Sequence, residues 1–521
     1  MQRVIDWVKN STDIQSGFWN IEPEYINAFQ QYVDLLIGSN RHDEAVLTLD
    51  KLKTINDADL FQDPMVKSTQ LNESELTQYR NLTSQLDQLR KQQLSTSGEL
   101  SVELQSKIDR LNAQKRTLDR KISSYSDQPS IQHIQQIQHR LKPQDLVLHI
   151  TGLENTYYIA QVTRRAIEIE TVDLDQTTRN LFEQSIEGLA TGSTDLNQLY
   201  EIGDILNISD LPIYAENIIL IPDSYLFQLP MDIIPTTKPA HSYSYGGTSY
   251  IIEEYQTEYL TSLNELVYSS EAERSFTWDY VGFGISTFED SKSDLMPLPY
   301  ASTEVNLISD ALQNFDQRRT LVEEQSTETA FRQMAPDTRI LHLATHSTVS
   351  ESDPLFSTIY MSAPGDSTEQ EQFSNQIFAY ELFEMNLNNE LIMLNSCESG
   401  SGSYLQGSGI VGISRALRFA GAQSLVLNLW SVNDMMASDF AVQFYTSLND
   451  GDSKSEALRK AKVHFLKQKN ANPHYWGPYM LIGSSRPVIE PYKSSNSIFA
   501  AGFMAYLILM AGLSYATQRK G

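Results

Sequence analysis

Cysteine is almost missing from this chain: Cys397 stands alone among 521 residues. One thiol cannot close an intramolecular disulfide, so a cross-linked framework is excluded, and a thiol that serves as a nucleophile needs a reducing compartment. Metal-site spacings are missing too. Neither CxxC nor HExxH occurs, which argues against zinc, and without GxxxxGK[ST] there is no cradle for a nucleoside triphosphate. Basic residues are scarce, 39 Lys and Arg against 66 Asp and Glu, for a net charge of −27. Phosphate backbones are held by clusters of Lys and Arg, so nucleic acid is not an expected partner; the acidic balance itself favours solubility. The amino terminus, MQRVIDWVKNSTDI, lacks an apolar run of secretory length, and no signal peptide is expected.

What is present gathers around two short stretches. Leu391, Ile392, Met393 and Leu394 form an apolar run that reads as a buried parallel strand, and Asn395, Ser396, Cys397, Glu398, Ser399 and Gly400 break it with small polar residues. Arg339 to Ser347, RILHLATHS, has the same form and opens into Thr345, His346 and Ser347. Open α/β sheets present reacting groups at the carboxyl ends of their strands, so Cys397 and His346 stand where chemistry is done. A nearby imidazole takes the proton of a thiol and stabilises the thiolate. The spacing of 51 residues agrees with the caspase arrangement, histidine about 50 residues upstream of cysteine. Taken singly, a strand-end cysteine is more often a small buried hydrophobe. His342, flanked by Leu341 and Leu343, reads as a satisfied interior histidine.

These residues resemble a known family. LATHS around His346, LNSCESG around Cys397 and the following GSGIVGISRALRFAGAQSLVLNLWSVND are similar to the CHAT domain, the caspase-like domain associated with helical repeats. Ordered blocks continue the resemblance, upstream through IPDSYLFQLPMDIIP and LPYASTEV and downstream through NPHYWGPYMLIG, so that it covers Ile134 to Gly483. The resemblance implies an α/β caspase-like fold, a parallel-rich sheet flanked by helices, in which a pseudo-caspase lobe (134–265) without catalytic residues supports a catalytic lobe (279–485). It also implies Cys397 as nucleophile and His346 as general acid and base, with the backbone N–H groups of Cys397 and Ser347 holding the oxyanion. Most members carry glycine where Ser347 stands, which touches the turn geometry and the second oxyanion contact. No third triad member is evident. Asp434 matches an acidic position of the family and is either a pocket for a basic side chain before the cut or the N-cap of the MMASDF helix. Glu398 is the alternative acid, or points to solvent, and Trp430 completes the candidate pocket. No cofactor is expected.

The rest of the chain frames this body. Residues 1–70 hold a helix pair, AFQQYVDLLIG and HDEAVLTLDKLKTI with a turn at Ser39 and Asn40, similar to one tetratricopeptide (TPR) unit. Leu71 to Ser126 reads as an antiparallel coiled-coil hairpin, Leu89 in one arm and Ile108 and Leu111 in the other, serving as a partner-docking arm or as a spacer. Long polar segments, Thr348 to Pro354 and Ser362 to Ser374, are expected to loop over the site. Near the carboxyl terminus, Ser497 to Ala516 is 20 residues without a charge, long enough for a transmembrane helix. A single-pass carboxyl-terminal anchor with the catalytic part in the cytoplasm follows from the thiol chemistry, although Arg519 and Lys520 favour the opposite orientation by the positive-inside rule. The expectation is a membrane-tethered cysteine endopeptidase that cuts a protein partner, after a basic residue if Asp434 lines the pocket, with an activator docking on the helical region. Relatives with this domain act in bacterial defence. The alternative is a catalytically silent CHAT-fold scaffold that binds proteins through its helices.

Overall fold

The computed structural model describes residues 23–57, 133–208, 214–268, 274–288, 295–349, 357–363, 375–383, 385–396 and 412–488, with a few residues between these stretches. Two helices come first, α1 (Pro23–Gly38) and α2 (His42–Asp57). The turn between them is made by Asn40 in the left-handed region, φ 58°, where asparagine costs less than most residues. Phe29, Val33 and Leu36 on α1 recur at helical spacing, as do Ala45, Leu49 and Leu52 on α2, and this stripe is buried against Leu153 and Tyr158. The helix pair thus covers its apolar face on the sheet, as a single repeat must. Of the expected coiled-coil hairpin few residues are described; among them Ile108 is buried with Leu89 and Leu111 packed against it.

Sixteen strands follow among the described residues: β1 (Asp145–Leu153), β2 (Thr156–Val162), β3 (Ile167–Asp173), β4 (Asn217–Ile221), β5 (Gln256–Tyr259), β6 (Trp278–Gly284), β7 (Arg318–Val322), β8 (Thr338–Ala344), β9 (Ser347–Thr348), β10 (Thr358–Tyr360), β11 (Gln376–Phe378), β12 (Leu391–Asn395), β13 (Tyr404–Leu405), β14 (Gly409–Ile410), β15 (Ser424–Asn428) and β16 (Tyr479–Gly483). Eleven of them form one sheet in the order β3-β2-β1-β4-β5-β16-β15-β12-β8-β6-β7. Strands β1, β4, β5 and β16 run parallel to one another, as do β15, β12, β8, β6 and β7. Because β16 is antiparallel to β15, the two parallel blocks point in opposite directions. The segments expected as two lobes, 134–265 and 279–485, share this one sheet, joined by the pairing of β5 with β16. Every residue of β12, β15 and β16 is buried, the mark of strands covered on both faces.

Helices α3 (Gln176–Thr191), α4 (Leu196–Ile205), α5 (Ala301–Ala311), α6 (Glu328–Met334), α7 (Ile413–Phe419), α8 (Asp434–Asn449) and α9 (Lys454–His464) flank the sheet. After His346 the short strands β9, β10 and β11 make a small antiparallel sheet that flanks the two expected polar loops; residues 350–356 and 364–374, which are most of both loops, lie outside the described residues. Among the described residues no helix is long and apolar enough to cross a membrane, and Ser497–Ala516 lies outside them.

Buried polar bonds fasten α2 to the first block. Lys53 Nζ donates to the carbonyls of Ile221 (3.1 Å) and Pro222 (2.5 Å) at the carboxyl end of β4, and Asp50 Oδ1 accepts from the N–H of Leu263 (2.8 Å) and contacts His149 Nε2 (3.3 Å). Burial pushes the His149 imidazole below its ordinary 6.5, against the upward pull of Asp50. The unfolded chain takes up this proton near pH 6.5 and the folded chain resists it, so the stability tied to neutral His149 is full above that pH and is lost as pH falls below it. In thermal melts from about pH 8 to about pH 5, the parent protein is expected to lose melting temperature more steeply below 6.5 than His149→Gln, which has no proton to gain. Parallel curves for the two would contradict this.

Candidate active site

Strands β8 and β12 are neighbours, parallel, with Leu343 opposite Leu394 and Ala344 opposite Asn395. The two chains therefore leave the sheet at the same level. His346 follows Ala344 by two residues, and Cys397 follows Asn395 by two. Beyond the last paired residues the two loops stay joined: Ser347 Oγ and Ser396 Oγ, both buried, are 2.7 Å apart. A glycine at 347 could not make this bond, so the departure from the usual family residue supplies a cross-link between the loops. Cys397 and Glu398 lie outside the described residues.

His346 is 7% exposed and held on several sides. Its Nε2 lies 2.6 Å from the carbonyl oxygen of Met296. A carbonyl only accepts, so Nε2 carries the proton and Nδ1 is the nitrogen left to take one. Phe288 packs on the ring at 4.9 Å between centroids, tilted by 53°. The backbone is pinned from β10, where the N–H of Tyr360 donates to the His346 carbonyl (3.0 Å) and Thr345 Oγ1 donates to the Tyr360 carbonyl (2.7 Å). Sequence reasoning found no third member for the site. The partner is a main-chain carbonyl in the loop between β6 and α5, and a carbonyl has no signature in residue types.

A buried polar floor lies below. Glu304 on α5 accepts at one oxygen, Oε1, from Asn395 Nδ2 (2.7 Å) and contacts His342 Nε2 (2.7 Å). Asn428 Nδ2 donates to Asn395 Oδ1 (3.0 Å), and Tyr445 on α8 meets His342 Nδ1 at 3.1 Å. Burial, with the charge of Glu304 added, raises the Tyr445 phenol well above its ordinary value, so it stays protonated. His342 is the interior histidine expected of it. Among the described residues no cluster of three His, Cys, Asp or Glu suits a metal ion.

The expected pocket residues divide. Asp434 is the first residue of α8, but the cap is Asn433, whose side chain accepts from the N–H of Met436 (3.4 Å). The N-cap reading is therefore displaced by one residue. Asp434 Oδ2 instead accepts from the N–H of Tyr300 (2.7 Å), and burial raises its carboxyl above the usual range while that bond and the charge of His346 oppose the rise. It lies within electrostatic reach of the imidazole. Trp430 is buried, with its indole N–H given to the His474 carbonyl (2.8 Å) and its ring stacked on His474.

The profile of the CHAT domain matches residues 194–484. Tetratricopeptide repeat protein 28 of Homo sapiens is 32% identical over 114 residues, as is that of Mus musculus; the match covers 22% of this chain and 5% of either relative, so the chain spans a small fraction of their length. Among solved structures, the Saccharomyces cerevisiae separase–securin complex aligns over 92% of this chain and 40% of that one at 10% identity and a TM-score of 0.42. The Arg-specific cysteine proteinase gingipain R aligns over 60% and 75% at 9% identity and a TM-score of 0.35.

The bond between the loops can be measured. Ser347→Ala and Ser396→Ala are each expected to destabilise the fold by roughly 1 kcal/mol, and the double variant by about 1 kcal/mol less than their sum. Strict additivity in denaturant melts would show that the two hydroxyls do not interact.

Proposed function

The chain belongs to the CHAT domain family, and from that premise we propose that it is a caspase-like cysteine endopeptidase with Cys397 as nucleophile and His346 as general acid and base. The observation that carries the reading is the hydroxyl bond between Ser347 and Ser396. Each serine is joined by one peptide unit, about 3.8 Å between Cα atoms, to a residue of the proposed pair. The Met296 carbonyl supports it further, since it leaves Nδ1 of His346 free to accept a proton.

In the proposed cycle Nδ1 takes the thiol proton and the sulfur attacks the scissile carbonyl carbon. The carbonyl oxygen becomes an oxyanion held by the backbone N–H groups of Cys397 and Ser347. Collapse of the tetrahedral adduct breaks the C–N bond, the imidazolium gives its proton to the leaving amine, and an acyl-enzyme remains. Water, deprotonated by His346, then releases the acid and restores the thiol. Asp434, beside Tyr300 and close to His346, supports a preference for a basic side chain before the cut, with Glu398 the other acid available and Trp430 a wall of the pocket. The substrate is a protein, and the helical region is the proposed seat of a protein activator. The uncharged run Ser497–Ala516 would tether the enzyme to a membrane with its catalytic part in the cytoplasm.

Incubation with a peptide electrophile carrying Arg next to the warhead tests the chemistry. Labelling is expected in the parent protein, lost in Cys397→Ala and in His346→Ala, and weakened on the order of tenfold in Asp434→Asn through loss of a charge-assisted bond. Equal labelling in the histidine variant would mean an ordinary thiol on a scaffold. For the tether, the full chain is expected in the membrane fraction and a chain ending before Ser497 in the soluble one; identical partitioning would refute it.

A further inference from the structure

Glu323 stands directly after β7, half-buried, with φ 47°, a left-handed conformation that a side chain of its size rarely adopts. Its backbone is held there by two bonds to its carbonyl, from the N–H of Ser326 (2.8 Å) and from Ser362 Oγ (2.5 Å). The conformation aims the carboxylate at the loop that covers His346. Oε1 accepts from the N–H of Ser286 (3.1 Å) and from Ser302 Oγ (2.5 Å); Oε2 accepts from the N–H of Ser286 (3.3 Å), the N–H of Thr287 (3.3 Å) and Thr287 Oγ1 (3.1 Å). Burial opposes its ionisation, yet these bonds outweigh burial and hold the carboxyl below the usual range, so it is charged at neutral pH.

The outgoing arm of the loop is tied to this carboxylate directly, and the returning arm is tied to it through Ser286. On the outgoing arm the clamped residues Ser286 and Thr287 lead straight into Phe288, which packs on the imidazole. On the returning arm the N–H of Leu298 donates to the Ser286 carbonyl (3.0 Å), two residues beyond Met296, whose own carbonyl receives Nε2–H of His346. Ser286 Oγ and Ser302 Oγ, 2.9 Å apart, join the loop to the start of α5.

We propose that Glu323 is a positioning residue for His346: its carboxylate sets the two described arms between β6 and α5, 285–288 and 295–300, so that the Met296 carbonyl and the Phe288 ring keep the imidazole in its Nε2–H tautomer, with Nδ1 turned to the substrate side. The role rests on the hydrolase reading. Glu323 itself touches neither the imidazole nor a reacting atom.

The test uses the full chain, labelled with 15N-histidine, and two variants. Glu323→Ala is expected to lower the rate of labelling by the Arg-bearing electrophile by on the order of a hundredfold, as misplaced catalytic groups do. The 15N signals of His346, assigned by their loss in His346→Ala, are expected to move from the Nε2–H pattern to a mixture of tautomers. Glu323→Gln keeps one acceptor oxygen and the volume, and is expected to recover part of the rate; it also serves should the alanine variant fail to fold. Wild-type rates and unchanged imidazole signals in the folded variants, with His346→Ala still unlabelled, would overturn the positioning role and leave the hydrolase reading standing. A lowered melting temperature with rate and tautomer unchanged would overturn it equally, as the mark of a merely structural contact. Labelling of His346→Ala at the parent rate would sink the hydrolase reading and this role together.

Discussion

Everything at the candidate site depends on the register in which β8 and β12 lie side by side. Ala344 opposite Asn395 sends both chains out of the sheet at one level, and the hydroxyl pair Ser347 and Ser396 keeps them together one step further. A slip of one residue would turn every side chain of β12 to the other face. It would also take Asn395 from Glu304, which accepts from that amide while it holds His342. The register is thus locked twice, by apolar packing along the strands and by a polar node at their ends. Breaking such a node by removing one partner leaves a buried charge or dipole uncompensated, a cost of a few kcal/mol.

The imidazole is governed from three directions that differ in kind. Below it the Glu304 node fixes the strand that carries it, at its side β10 fixes its backbone, and above it a loop from β6 supplies the Met296 carbonyl and the Phe288 ring. Only the last of these touches the ring. The described arms of that segment are accordingly what bears on tautomer and orientation, and the outgoing one is held by the carboxylate of Glu323, a residue in an unusual backbone conformation.

The strands of this body were legible because burial on both faces leaves continuous apolar runs: LIMLN, SLVLN and YMLIG are entirely buried. The place of His346 could be read from the same runs, since it follows where small polar residues interrupt one; Cys397 follows β12 in the same way in sequence but lies outside the described residues. The direction of β16 could not, because a strand covered on both sides looks alike whichever way it runs. Strands β9, β10 and β11, two or three residues long, are too short to show a period. The cap of α8 was misplaced by one residue because Asn433 and Asp434 suit the position equally. The contacts of Met296 and Glu323 were invisible for a deeper reason: one acts through its main chain, the other through a backbone conformation that residue type does not announce.

The reversal at β16 has a mechanical meaning. Two parallel blocks of opposite sense open their carboxyl ends on opposite margins of the sheet, so His346 lies at one margin, while Lys53 of α2 grips the carbonyls of Ile221 and Pro222 at the other. Between them α2 runs along the sheet, from His42 against the Ile167 carbonyl at the start of β3 (3.4 Å) to Lys53 at the end of β4, so that one helix spans both margins of the block that does not carry the histidine.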